Sequence, residues 1–113
     1  MFGWFKSRPR KRLDLEARLK PTTAGGPYGD VEVQVFDDGS WDLEIELKNQ
    51  AGTADVALHV DGARVGSFAA RAGETEFRRS DRDGVLGFDP QVGQAVSLHA
   101  EGRELCAGVF HRD

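Results

Sequence analysis

The sequence predicts an all-β fold, a single antiparallel β-sandwich of about seven to nine short strands, with an open β-barrel as the alternative. Apolar residues recur at every second position in several windows. Gly- and Asp-containing turn dipeptides separate these windows, and no helical window longer than a turn competes with them. With 113 residues and 12.4 kDa, the chain holds one modest hydrophobic core, so one domain is expected.

The first 21 residues divide into an aromatic tip (Phe2, Trp4, Phe5), a basic run (Lys6, Arg8, Arg10, Lys11, Arg12) and an alternating stretch, Leu13 to Leu19. Leu13, Leu15, Ala17 and Leu19 share one face of a strand, so the sheet is expected to start at residue 13 and residues 1–12 to form a flexible arm. Thr22 to Gly29 is rich in Thr, Gly and Pro and reads as a surface loop.

Val31, Val33 and Val35 then alternate with polar residues, as do Trp41, Leu43, Ile45 and Leu47. A three-residue loop at Asp37-Asp38-Gly39 pairs Val35 with Trp41, Val33 with Leu43 and Val31 with Ile45, placing every apolar residue on one face. A two-residue loop would turn one strand over, so the hydrophobic pattern selects the longer one.

Asp61-Gly62 is a type I′ dipeptide between Val56–Val60 and Ala63–Val65, and Glu101-Gly102 has the same place between Ala95–Ala100 and Arg103–Ala107. These turns set Leu58 opposite Val65 and Leu98 opposite Leu105. Ala57-Leu58-His59-Val60-Asp61-Gly62 matches Ser97-Leu98-His99-Ala100-Glu101-Gly102 forty residues on, and both hairpins run into Gly-x-Phe, at Gly66–Phe68 and Gly108–Phe110. This is an internal hairpin repeat. One copy is expected in each of two packed sheets, with the glycine kinking its strand so that the phenylalanine turns inward. Thr75 to Arg79, carrying Phe77, supplies a further strand before the loop Ser80–Gln94.

From Trp41 onward the chain resembles a β-sandwich repeat domain of uncharacterised bacterial proteins, often secreted, with a likeness to chordin-like (CHRD) domains. The matching elements are Leu43–Asn49, the Val60–Gly66 hairpin, Arg82-Asp83-Gly84 and Gly108-Val109-Phe110. The resemblance implies fold and brings no catalytic residues. It also implies an exported setting, which the sequence does not follow, since Phe2, Gly3, Trp4 and Phe5 before Lys6 are too few for a signal-peptide apolar region. A cytoplasmic protein, peripheral to a membrane through its arm, is expected; a secreted or envelope setting is the alternative.

Charge is divided unevenly. Met1–Lys20 carries seven Lys/Arg against two Asp/Glu, leaving eight against seventeen for the rest and a net charge of −4 overall. An acidic body excludes nucleic-acid binding by the folded part, because phosphate contact needs a basic face there. The single Cys106 excludes an internal disulfide and a cysteine metal cluster, and its mid-strand place suits a small apolar filler. No serine lies in Gly-x-Ser-x-Gly, and Gly25-Gly26-Pro27 lacks the Lys-Ser/Thr of a phosphate loop, so no enzyme and no cofactor are expected. The acidic turns do not match an EF-hand loop.

His59, His99 and His111 are the only neutral nitrogen ligands a metal could find; a metal-binding protein using them is a third function class, which requires three strands to bring them together. The arm is the leading functional candidate. Phe2, Trp4 and Phe5 suit a partner surface or the interfacial layer of a bilayer, while Lys6, Arg8, Arg10, Lys11 and Arg12 suit anionic groups. The expected function is a non-enzymatic interaction module whose arm docks to a protein partner or an anionic membrane. An exported adhesion or small-ligand domain, using Tyr28 and Trp41, is the second class; parity places Trp41 in the core. A homodimer by sheet extension is a further expectation, against which Glu32, Glu44 and Glu46 would repel across a shared edge.

Overall fold

A computed structural model describes residues 9–113, so Phe2, Trp4, Phe5, Lys6 and Arg8 lie outside the described residues. The strands are β1 (Lys11–Pro21), β2 (Tyr28–Phe36), β3 (Trp41–Gln50), β4 (Ala54–Val60), β5 (Ala63–Ala70), β6 (Gly73–Ser80), β7 (Ala95–Ala100), β8 (Arg103–Val109) and β9 (His111–Arg112). They run antiparallel in the order β5-β4-β7-β8-β1-β2-β3-β6, with β9 also on β1.

Two separate sheets are the first expectation from the sequence; one sheet curled almost into a barrel is what forms. The reason is β1. Its first nine residues pair with β2, and Lys20 and Pro21 pair with Ala107 and Cys106 of β8, so one strand passes from one half of the molecule to the other. The end strands β5 and β6 come to face each other, and Phe68 stacks on Phe77 across the gap at 5.0 Å between ring centroids. The inner faces of the two halves meet in one core, with Leu15, Val31, Val33, Ile45 and Leu47 from one side and Val56, Leu58, Val96, Leu98 and Phe110 from the other. Each such side chain contributes about 1.5–3 kcal/mol by leaving water.

The β2–β3 hairpin has the register that the valine and leucine pattern dictates, Val35 opposite Trp41, Val33 opposite Leu43 and Val31 opposite Ile45. Gly39, at φ 87°, closes its loop, with the Gly39 N–H donating to Phe36 O. At the other end, β1 begins two residues earlier than alternation alone suggests. Lys11 lies opposite Phe36 across an irregularity in register, and Arg10 O accepts from Asp37 N.

Both repeat hairpins turn through left-handed pairs, Asp61-Gly62 at φ 50° and 82° and Glu101-Gly102 at 53° and 75°. The pairings of Leu58 with Val65 and of Leu98 with Leu105 do not form. Leu58 faces Gly66 and Leu98 faces Cys106, because each second strand carries a bulge beside the turn, at Val65 and at Leu105. The extra residue reverses the parity beyond it, so Phe68 and Cys106 point into the core. The re-phasing is thus done ahead of the glycines. Gly108 has another reason to be glycine, since a Cβ there would collide with the Arg18 carbonyl oxygen where β8 meets β1.

The repeats also sit differently from the expectation of one per sheet. β4 pairs with β7, Leu58 opposite Leu98, Ala57 opposite His99 and His59 opposite Ser97, so the copies lie side by side in one half, related by a local two-fold at the leucine pair. In that symmetry Phe68, opposite Val56, corresponds to Gly108, opposite Val96, and the two Gly-x-Phe motifs are not equivalent.

Candidate functional site

Alternation buries one face of β1, β2, β3 and β6 and turns the other to solvent, and it is the solvent face that is unusual. One cross-strand row reads Glu16, Glu32, Glu44 and Arg78. The next reads Arg18, Asp30, Glu46 and Glu76, and on the other side lie Asp14, Gln34, Asp42 and Ser80. Directly opposed residues in adjacent strands have Cβ atoms about 4.5–5.5 Å apart. Carboxylates therefore face carboxylates in the pairs Glu16/Glu32, Glu32/Glu44, Asp30/Glu46 and Glu46/Glu76, each costing a few tenths to about 1 kcal/mol.

Cations stand among these acids, and the charge of Lys48 acts on both Asp30 and Glu46. Arg18 Nε lies 3.5 Å from Glu16 Oε1, Arg78 Nη2 lies 3.4 Å from Glu44 Oε1, and Lys11 Nζ lies 3.2 Å from Asp14 Oδ2. The centre of the face has Gln34, whose Nε2 donates to Glu32 Oε1 at 3.3 Å. Asp14 Oδ1 is buried without a hydrogen-bond partner. Glu32, Gln34, Asp42, Glu44, Arg78 and Ser80 line a shallow hollow of about 400 Å³.

The crowding shifts the acids. Partial desolvation, a hydrogen bond with the Asp113 carboxyl and the charges of Asp14, Asp113 and Glu44 push Glu32 up to about 7. Desolvation and Glu16 raise Asp30, and desolvation and Asp30 raise Glu46. Two trios, Asp14/Glu32/Asp113 and Glu44/Glu46/Glu76, hold their oxygen atoms within 4.8 Å of one another. Oxygen donors of this kind suit hard cations and ammonium or guanidinium groups.

The histidines separate. His59 and His99 stack on the outer face of the β4–β7 half, 4.0 Å apart with ring planes at 19°, whereas His111 lies on β9 opposite Glu16. Ring nitrogen lone pairs lie in the ring plane, so near-parallel rings aim them side by side and not at one ion. Desolvation, then His99 and Arg64, lower the His59 pKa. Ser97 Oγ is 2.8 Å from His99 Nε2, a nucleophile and base in reach of each other. No carboxylate orients that imidazole among the described residues. β7 is paired on both sides, so its backbone N–H groups serve the sheet and not an oxyanion.

Cys106 is fully buried, and burial pushes its thiol up to about 12, the opposite of a reactive thiolate. Trp41 is a core residue with the Arg79 guanidinium 5.9 Å from its ring centroid, and Tyr28 is exposed. The turn acids bond to nearby backbone. Asp38 accepts from Ser40 N, Asp83 from Ser80 N, and Asp61 from Ala95 N. Of the basic arm, Lys11 and Arg12 belong to β1 and are exposed, as is Arg10.

Residue-by-residue reading picks out Glu32, Glu44 and Glu46 at solvent-facing strand positions but not the rows they join. The signal for those rows is present, because the register that sets Val33 opposite Leu43 also sets Glu32 opposite Glu44. Glu16 joins the row only through the β1–β2 pairing, which spans a loop of unspecified geometry. In comparisons with known proteins, the chain matches no family model and no curated protein sequence.

Proposed function

We propose that this chain is a non-enzymatic binding module that works through charge. The acidic outer face of β1, β2, β3 and β6 receives a cationic partner, and the basic, aromatic-tipped segment 1–12 docks to a partner protein or an anionic membrane surface. The row Glu16–Glu32–Glu44 carries this reading. Four directly opposed carboxylate pairs in this face set like charge against like at a cost to folding, with Arg18, Lys48 and Arg78 beside them. A bound cation relieves that repulsion, so part of the binding free energy is stored in the unbound face.

Titration of the whole chain with a deca-lysine peptide at low salt tests it. Binding is expected to fall steeply as salt rises. It is expected to weaken about tenfold or more in Glu32→Gln/Glu44→Gln/Glu46→Gln, the loss of three charge contacts. Asp55→Asn/Glu101→Gln on the other half serves as control; equal weakening by both sets would refute the assignment of the face. For the arm, co-sedimentation with anionic vesicles is expected to be lost when Phe2, Trp4 and Phe5 are replaced by Ser; unchanged partition would refute the membrane role.

A further inference from the structure

The curled sheet does not close, so its end strands β5 and β6 each pair on one side only. An unpaired strand edge is a template for another strand, and proteins usually blunt it. The edge of β5 is blunted. Its ladder with β4 is bulged at Val65, the Arg79 guanidinium lies 3.6 Å from where a Cβ on Gly66 would stand, and a Cβ on Gly87 of the following loop would stand 3.3 Å from Val65 O. The edge of β6 is not. From Thr75 to Ser80 its register with β3 is unbroken and it holds no proline. Among the described residues, the backbone of Thr75–Arg79 has no hydrogen-bond partner outside β3.

This strand is complementary to its own reverse. Glu76 and Arg78 stand on the solvent face to either side of Phe77, which stacks on Phe68 at the seam, and Thr75 and Arg79 lie on the same side as Phe77. Two antiparallel copies of β6 related by a two-fold at Phe77 set Glu76 opposite the partner's Arg78 twice, with Phe77 opposite its own copy. A two-fold at Glu76 would oppose Glu76 to itself, and one at Arg78 would oppose Arg78 to itself. A slip by one residue would pair a solvent-facing side chain with a core-facing one. Charge and parity therefore select one register.

The rest of the sheet agrees with it. Arg78 ends the row Glu16, Glu32, Glu44, and Glu76 ends the row Arg18, Asp30, Glu46. In a lone molecule Glu76 faces only Glu46, like against like. The two-fold joins the end of each row to the end of the other, so Arg78 comes to stand between Glu44 and the partner's Glu76. Glu32, Glu44 and Glu46, expected from the sequence to repel across a shared edge, lie on β2 and β3, inside the sheet.

We propose that this chain forms a two-fold dimer in which β6 pairs with β6 of a second copy, in the register centred on Phe77. The interface is isologous, each copy supplying both members of the Glu76–Arg78 pair, and it does not depend on what the acidic face or the arm binds.

Sedimentation equilibrium of the whole chain from micromolar to millimolar concentration reads the association, with the mass expected to rise from 12.4 kDa toward twice that value. Glu76→Arg and Arg78→Glu each turn both opposite pairs into like ones, and each is expected to weaken association about tenfold or more. Mixed with each other they are expected to form a heterodimer, because every pair is then opposite in sign, and Glu76→Arg/Arg78→Glu is expected to self-associate as the parent does. Amide hydrogen exchange on the parent needs no variant and decides the matter if a single variant does not fold. Protection of the β6 amides that point away from β3 is expected to rise with protein concentration, with no such rise in β5.

A chain that stays monomeric throughout overturns the proposal. So does a dimer whose affinity survives Glu76→Arg and Arg78→Glu, a folded double variant that associates no better than the single ones, or a dimer whose β6 amides gain no protection, since the interface then lies elsewhere.

Discussion

Replacing Glu32 with glutamine should stabilise the protein at alkaline pH, although it removes a charge and adds no contact. Glu32 sits between Glu16 and Glu44 in the sheet, and its carboxyl is raised from 4.5 to about 7 by desolvation and by Asp113, Asp14 and Glu44. A carboxyl raised that far favours its protonated form by about 3 kcal/mol if nothing screens it. Because the face is open to water, on the order of 1 kcal/mol survives as stability. The sign follows from proton uptake. Below about pH 4.5 the group is protonated folded and unfolded, and no penalty exists. As pH rises from there to about 7 the unfolded chain releases its proton first, so stability falls, and above 7 the loss is complete. The glutamine side chain has nearly the size of the glutamate it replaces and cannot ionise. Glu32→Gln is therefore expected to unfold about 4 °C higher than the parent at pH 8 and at the same temperature at pH 4.5. Thermal unfolding followed by circular dichroism at the two pH values measures this. A gain of equal size at both, or no gain at pH 8, would refute the idea that carboxylate repulsion strains the face.

The histidine stack should give the opposite slope. His59 has a lowered pKa, so stability is lost as pH falls below the unfolded value near 6.5, and His59→Phe, which keeps a flat ring against His99, should reduce the loss between pH 7.5 and 5.5 relative to the parent. Asp61 holds φ 50° and accepts from Ala95 N at 2.9 Å, so Asp61→Ala should cost about 1–2 kcal/mol in urea unfolding and Asp61→Asn much less. Gly108→Ala places a methyl against the Arg18 carbonyl and should cost about 1–3 kcal/mol, more than the strain of Gly62→Ala alone if the β8–β1 crossing is as close as described. Cys106 should react with a thiol reagent only as the chain unfolds; labelling of the native protein at the rate of a free thiol would contradict its burial.

What is legible in the sequence follows the range of the forces involved. The β2–β3 register is readable because a short turn and two apolar faces admit a single alignment; at Asp61-Gly62 and Glu101-Gly102 the turn is readable but the register beyond it is not. The bulges at Val65 and Leu105 are not, because a bulge is decided by what the far side of the core needs: Phe68 and Cys106 must point inward there, and local alternation is blind to that. The side-by-side placement of the repeats depends on β4 meeting β7 across the long segment between them, where no turn rule operates. For the site, His59 and His99 are legible as equivalent positions but not as neighbours, while His111 is separated from them by the path of β9. The β2–β3 part of the acidic rows follows from that register, but Glu16 and Arg18 join them only when β1 is placed beside β2.

The long strand β1 has a consequence for how the molecule is made. Its partners include β2, next in the chain, and β8 and β9, whose Cys106 and Arg112 come almost a full chain later. During synthesis β1 and β2 can pair early, but one flank of β1 stays open until β8 and β9 leave the ribosome. Such distant pairings close large loops, so the slow step of folding is expected to be the docking of β8 and β9 on β1, on the millisecond-to-second scale of all-β domains. Until then the open flank is a strand edge that another nascent copy can occupy, which makes the interval before closure the time when the chain is most exposed to misassembly.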